Sequence, residues 1–296
     1  MNAAQIAFYV AVGAAGLAFF YGAARAAKRL PDVRWPTAGE VGVGFVTDFL
    51  DALGIGSFAP TTAIYKLRRM VPDELIPGTL NVGHTPSALT ESVIFVTAIL
   101  VDPILLISVV SSAALGAWLG AGVVARLPRR AIQWFMGSAL IIAGSVFAAI
   151  NLGAIPGGGA AMSLAGWKFA LAVGVNFVYG ALMSVGIGLY APCMITLALL
   201  GMNPIAAFPI MMGACALLQP IASLRFFKTG RFAWGPSAGL TLGGVVGVLV
   251  AAYIVKSLPL VALRWLVIVV IGYAAFAMLR SAATRPSAVA APPAAT

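Results

Sequence analysis

Charge is what this chain has least of. Only 9% of its 296 residues are Asp, Glu, Lys or Arg, while 61% are hydrophobic. Soluble domains carry about 25% charged residues, and no single soluble core could bury so large an apolar fraction, so a water-soluble fold is excluded. Acid is scarcer still: the eight acidic residues, Asp32, Glu40, Asp48, Asp51, Asp73, Glu74, Glu91 and Asp102, all precede residue 103. The single histidine, His84, excludes bis-histidine haem ligation. The two cysteines, Cys193 and Cys215, lie in apolar runs and offer neither a disulfide framework nor a metal spacing. No metal or other cofactor is expected, and no nucleophile elbow or other catalytic motif points to an enzyme.

What the chain has instead is apolar runs long enough for a bilayer. Hydropathy divides it into segments 4–24, 39–56, 58–70, 75–101, 103–125, 131–151, 166–188, 190–201, 204–224, 236–256 and 260–280. Segments 58–70 and 190–201 are too short to cross, since a spanning helix takes about 20 residues. The first run lacks the basic residues that precede the core of a secretory signal, so 4–24 reads as a retained helix. The Ala/Pro-rich residues 282–296 read as a disordered tail.

The net charge of +10 is distributed by side. With the N-terminus outside and each segment reversing direction, fifteen of the 18 Lys and Arg fall in cytoplasmic loops; Lys168, Lys256 and Arg264 remain outside. That asymmetry follows the positive-inside rule and places the C-terminus in the cytoplasm. It assigns the basic excess to the lipid bilayer surface, with no nucleic acid as partner.

An internal repeat organises the segments. "FVTDFLDALGIGSFAP" at 45–60 lies over "FVYGALMSVGIGLYAP" at 177–192, pairing Gly54, Gly56 and Pro60 with Gly186, Gly188 and Pro192. The same offset of 132 pairs Pro72 with Pro204 and Pro77 with Pro209, and "LPRRAIQW" at 127–134 matches "LPLVALRW" at 258–265. The expected fold is an all-α polytopic membrane protein with two inverted-topology repeats, 38–153 and 166–281, each of about five helical segments including a broken helix. An N-terminal helix and basic loop, 1–37, precede them, and the repeats form one membrane domain. Inverted repeats with Gly/Pro-interrupted segments at matching positions point to a secondary transporter whose site lies at the interruptions.

The breaks carry the binding candidates. Irregular backbone survives at membrane depth only inside protein or beside a water-filled cavity. Pro60 and Pro192 suit first helical turns, and the half-helices they begin present free N–H groups and a positive dipole end to a small anion. Gly54, Gly56, Ser57, Thr61 and Thr62 surround the first break, and Gly186, Gly188, Tyr190 and Cys193 the second. Asn176, Tyr179 and Gln219 add uncharged polar groups suited to oxyanion oxygens, or to ordinary interhelical contact. The GxxxG pairs "GAWLG" at 116–120 and "GLTLG" at 239–243 read as packing motifs.

Intramembrane carboxylates are functional candidates because a buried charge is costly. Asp48 and Asp51 share a helix face and align with Gly180 and Met183, so the second repeat lacks them. Asn81, His84, Ser87 and Glu91 form a stripe within about 120° of a helix surface. Asp48, Asp51, His84 and Glu91 are the candidates for proton coupling. The structural alternatives are amide capping at the break by Asp48 or Asp51, a basic loop partner for Glu91, and a satisfied core histidine at His84. Two rival functions remain. A channel could use the same breaks, and Ser57 with His84 loosely fits an intramembrane serine protease.

A helix entering a GIG break followed by a proline half-helix, present twice in under 300 residues, resembles the TauE/SafE family of sulfite exporters, also called toluene-sulfonate uptake permeases. The resemblance covers roughly 38–281 and rests on "GIGSFAP" and "GIGLYAP". Ser57-Phe58 and Leu189-Tyr190 stand where the family pattern is richer in glycine. The resemblance implies movement of sulfite or a small organosulfonate across a plasma (inner) membrane, exported with a coupled ion gradient. A homodimer is the assembly left open.

Overall fold

The computed structural model describes residues 3–30, 33–124, 152–154, 159–183 and 189–257, with isolated positions between 130 and 149 and between 265 and 283. Nine helices are named among them: α1 (Ala3–Ala27), α2 (Ala38–Ala52), α3 (Phe58–Arg68), α4 (Ile76–Ala98), α5 (Pro103–Val124), α6 (Gly166–Met183), α7 (Tyr190–Leu199), α8 (Pro204–Thr229) and α9 (Trp234–Ser257). Four of them, α1, α6, α8 and α9, are long and apolar enough to cross a membrane. The disordered-tail reading at 282–296, the LPxxAxxW match and the second GIG lie wholly or largely outside the described residues; of the tail only 282 and 283 are described, and they are helical.

Local sequence explains the boundaries. Thr37 and Glu40 form a capping box at the start of α2, and Arg34 clamps the Glu40 carboxylate at 2.5 and 2.9 Å. Asn203 caps α8 through the Ile205 N–H, and Gly230 ends that helix in the left-handed conformation. Segment 39–56 differs from expectation, because α2 stops at Ala52. Gly54 and Gly56 have φ of +93° and +87°, a conformation open to glycine and costly for other residues, so the chain turns out of the helix there.

Helices pair across the repeats rather than within them. The most extensive contacts are α2 with α9, α5 with α6, and α4 with α8; α9 also packs on α4 and α5 on α8. Exchanging the repeats maps this pattern onto itself. Close-approach glycines repeat it in detail: a Cβ on Gly247 would strike the Phe45 carbonyl, and one on Gly116 would strike the Phe177 carbonyl. Phe45 and Phe177 are partners at offset 132, and Gly116 and Gly247 at 131. Gly239 and Gly243 likewise admit the α2 backbone at Glu40 and Val41, so the GxxxG positions serve packing. Helix α1 stands outside this exchange and lies along α8, with the Phe8 ring over Gly213 and Phe19 against Phe227.

The pair α4 and α8 lies at the centre. Residues 205–229 of α8 are mostly buried, and α4 buries a polar series, Asn81, His84, Thr85, Ser87, Glu91 and Ser92. Hydroxyls join α4 to its neighbours: Thr85 meets Ser223 of α8 at 3.2 Å, and Thr241 of α9 donates to the Gly83 carbonyl at 3.0 Å.

Candidate functional site

The first break is closed by Asp51. Its backbone carbonyl accepts from the Gly54 N–H at 2.7 Å, and its Oδ1 accepts from the Ser57 N–H at 2.7 Å. The carboxylate therefore sits at the N-terminal end of α3, where the helix dipole favours negative charge. Little of that end is left over, because the Thr61 N–H bonds the Ser57 carbonyl and Pro60 has no N–H.

One turn earlier on α2, Asp48 meets His84. The imidazole Nδ1 lies 2.9 Å from both carboxylate oxygens, and Nε2 lies 3.1 Å from the Thr61 Oγ1. The Thr61 hydroxyl donates its hydrogen to the Ser57 carbonyl at 2.8 Å. Nε2 must then carry a hydrogen to bond Thr61, and one further proton bridges Nδ1 and Asp48. Asp48 and His84 are both fully buried. Room for Asp48 comes from Gly244 of α9: a Cβ there would occupy the carboxylate's place and press on the Ser87 Oγ.

Glu91 completes the polar centre. Its Oε2 accepts from the Tyr190 hydroxyl at 3.1 Å, while Oε1, also buried, has no partner. Tyr190 is the first residue of α7, so this bond joins α4 of the first repeat to the half-helix of the second. The other acids outside the centre have local tasks. Glu40 pairs with Arg34, Asp73 with Lys66 at 3.4 Å, and Asp102 caps α5 at the Leu105 N–H. Asp48, Asp51 and Glu91 have no Lys or Arg among their described partners.

The first break faces the start of α7. An added Cβ on Gly56 would lie 3.9 Å from the Tyr190 Cβ. Between them is a cavity of about 20 Å³, room for one water, lined by Asp51, Gly56, Ser57, Phe58, Met183, Leu189, Tyr190, Cys215 and Gln219. Three of its walls are repeat partners at offset 132: Asp51 with Met183, Ser57 with Leu189, and Phe58 with Tyr190. The cavity thus straddles the relation that exchanges the repeats. It is too small for an oxyanion.

The sequence candidates sort into three groups. Gly56, Ser57, Tyr190, Gln219 and Asp51 line the cavity; Thr61 and Glu91 stand one hydrogen bond behind it, His84 two and Asp48 three. Gly54 shapes the turn and packs against the Phe208 ring. Other candidates are not brought to the cavity. Asn81 donates to the Pro77 carbonyl on its own helix, Tyr179 bonds Thr196 across α6 and α7, Asn176 sits beside Cys193, and Thr62 is half-buried. Gly186 and Gly188 lie outside the described residues. Met183, Leu189, Phe58, Cys215 and Gly244 went unnoticed as site residues. The offset itself was the available signal, since it places Met183 and Leu189 opposite Asp51 and Ser57, and Gly244 opposite Ala113 at offset 131.

Four helices long and apolar enough to cross a membrane, among the described residues, mark the molecule as an integral membrane protein. Residues 2–147 match the family described as Sulfite exporter TauE/SafE. Over those residues the chain is similar to the TauE/SafE family, whose description names a sulfite exporter. No curated protein and no solved structure matches the chain.

Proposed function

We propose that this protein is a proton-coupled secondary transporter that exports a small sulfur oxyanion, sulfite or a small organosulfonate, across the plasma (inner) membrane. Its N-terminus lies outside and its C-terminus in the cytoplasm. The observation that carries the reading is the meeting of the first helix break with the start of α7, one element from each repeat, at a small cavity in a chain whose residues 2–147 match the TauE/SafE family. The symmetric frame supports alternating access: the two repeats supply equivalent walls, and small rotations open the cavity to either side. The buried titratable groups supply coupling, because adding or removing a proton changes the cost of a charge at depth and biases the two-state equilibrium. Asp51 and Glu91 contact the cavity directly or through Tyr190, and the Asp48–His84 pair lies behind. Sealing of the cavity to about one water favours a carrier over an open pore.

Purified protein in proteoliposomes tests this reading. Flux of labelled sulfite or taurine should saturate with concentration and accelerate when a pH gradient is imposed. Flux that rises linearly without saturation, or that ignores the gradient, would overturn it.

A further inference from the structure

A second cleft opens between α5 and α8, away from the break. It measures about 220 Å³, against about 20 Å³ for the central cavity. Its lining changes character along α8. Leu218, Ile221 and Ala222 make an apolar stretch, with Ala117 of α5 among the lining residues; Arg225 and Thr229 follow in the last two turns, and Arg231 lies just past the helix end. From Leu218 to Thr229 the helix advances about 16 Å. The cleft is open to the outside of the bundle, since Ile221 is 38% and Trp118 57% exposed.

The arginines are available. Arg225 reaches across the cleft and donates to the Trp118 carbonyl of α5 at 3.5 Å, which leaves most of its five N–H donors free. The Arg231 side chain makes no hydrogen bond, and neither arginine meets an acid, among the described residues. The Thr229 hydroxyl is turned back onto the Arg225 and Phe226 carbonyls, so the positive groups are the two guanidinium ions. Leu30, just past α1, lies against Gly230, so Arg25, Lys28 and Arg29 add positive charge at the same end of the bundle. An apolar groove on a membrane helix needs no special occupant, and exposed arginines need only water. The two in sequence along one helix match a molecule with an acyl chain and an anionic head.

We propose that this cleft binds one anionic phospholipid, with its phosphate on Arg225 and Arg231 and an acyl chain along Ile221 and Leu218 beside Trp118. A basic pocket between spanning helices is a recurrent setting for anionic head groups, and guanidinium pairs with phosphate through charge-assisted hydrogen bonds. Free phosphate would leave the apolar length of the cleft unfilled. A zwitterionic lipid would bring its own cation beside the arginines. Because α5 belongs to the first repeat and α8 to the second, the lipid clamps the repeats together. The proposal needs only the membrane-spanning fold and is independent of what is transported.

Native mass spectrometry of the full-length protein, stripped of lipid in detergent and titrated with phosphatidylglycerol, phosphatidylcholine or glycerol phosphate, provides the test. Phosphatidylglycerol should saturate one site per chain, and the other two should bind at least about tenfold more weakly, for want of net charge or of a chain. Arg225→Gln and Arg231→Gln should each weaken phosphatidylglycerol by about tenfold, the loss of a charge-assisted bond. Lys28→Gln removes a charge at the same end but outside the cleft and should change binding less than about twofold. Ala222→Phe fills the cleft, keeps both arginines and should abolish the site. Phosphatidylglycerol should raise the thermal midpoint of the parent but not of Ala222→Phe. Equal binding of the two phospholipids, tight binding of glycerol phosphate, or equal losses in Lys28→Gln and Arg225→Gln would each overturn the assignment. So would a dimer in place of the lipid-bound monomer that Ala222→Phe dissociates, since a second copy would then fill the cleft.

Discussion

The first and second GIG segments share a sequence pattern, and the residues around them differ in nearly every functional group. Asp51 faces Met183 across the cavity, Ser57 faces Leu189, and Phe58 faces Tyr190. Behind them, Asp48 corresponds to Gly180, Thr61 to Cys193 and Glu91 to Ser223 at offset 132. Where Asp48 projects into the space that Gly244 leaves open, its counterpart Gly180 brings α6 against the Ala113 carbonyl. The comparison separates two tasks. Features common to both repeats, the glycines, prolines and cross-repeat helix pairs, build the cavity. Features confined to one repeat, the carboxylates and the histidine, make the two sides of that cavity chemically unlike.

The harshest test of this division attacks the shared frame. Gly116→Val and Gly247→Val each drive a side chain into the carbonyl of a Phe that is its partner's counterpart. Each should destabilise the protein by about 3 kcal/mol or more, the upper end for overpacking, with similar losses of thermal stability. Tolerance of one and collapse of the other would break the equivalence of the α2–α9 and α5–α6 contacts.

Next come the counterparts Asp51 and Met183. Asp51→Ala leaves the buried Ser57 N–H without its carboxylate and should cost about 2–3 kcal/mol in chemical unfolding, whereas Asp51→Asn keeps an acceptor and should cost less than half as much. Asp51→Asn should nevertheless abolish the response of flux to a pH gradient. Met183→Leu, conserving volume, should cost under about 1.5 kcal/mol and leave that response in place. Equal effects on coupling would show that the asymmetry is not functional.

Tyr190→Phe makes the second break resemble the first, where Phe58 stands at the equivalent place. Loss of the hydroxyl strips Glu91 of its described donor and should cost about 1–3 kcal/mol. It should also alter the pH profile of flux, which Phe58→Tyr is not expected to restore. An unchanged profile would remove Glu91 from the coupling machinery. The smallest effect is expected at Thr62, which is half-buried beside the site: Thr62→Val should stay within about 0.5 kcal/mol and leave transport unaltered.

Much of the architecture was legible because membrane spanning and helix breaking are written in local chemistry. Apolar length marks spans, glycine permits the positive φ found at Gly54 and Gly56, and proline opens the half-helices. The repeat offset also matches the cross-repeat pairing of the described helices. The uncharged site candidates fared less evenly. Gln219 reached the cavity, while Asn81, Tyr179 and Asn176 found partners on their own or adjacent helices. A polar side chain in an apolar segment must find a hydrogen bond somewhere, and periodicity alone does not say whether the nearest partner is local or distant. Among the carboxylates, the sequence left Asp51 open between proton carrier and structural cap. The Ser57 bond shows that it caps the break, and the cavity wall shows that it also faces the site.

What the chain determined alone is the all-helical membrane frame, its twofold repetition and the restriction of acid to one half. These follow from composition and spacing, which act over a turn or a segment. What only tertiary structure decided is which groups share a proton and which share a cavity. His84 is 36 residues from Asp48 and 23 from Thr61, and Tyr190 is 99 from Glu91. Those meetings depend on α9 approaching α2 closely enough, at Gly243 and Gly247, to bring Gly244 under Asp48. Contacts of that kind are set by the packing of whole helices, and no local run of residues encodes them.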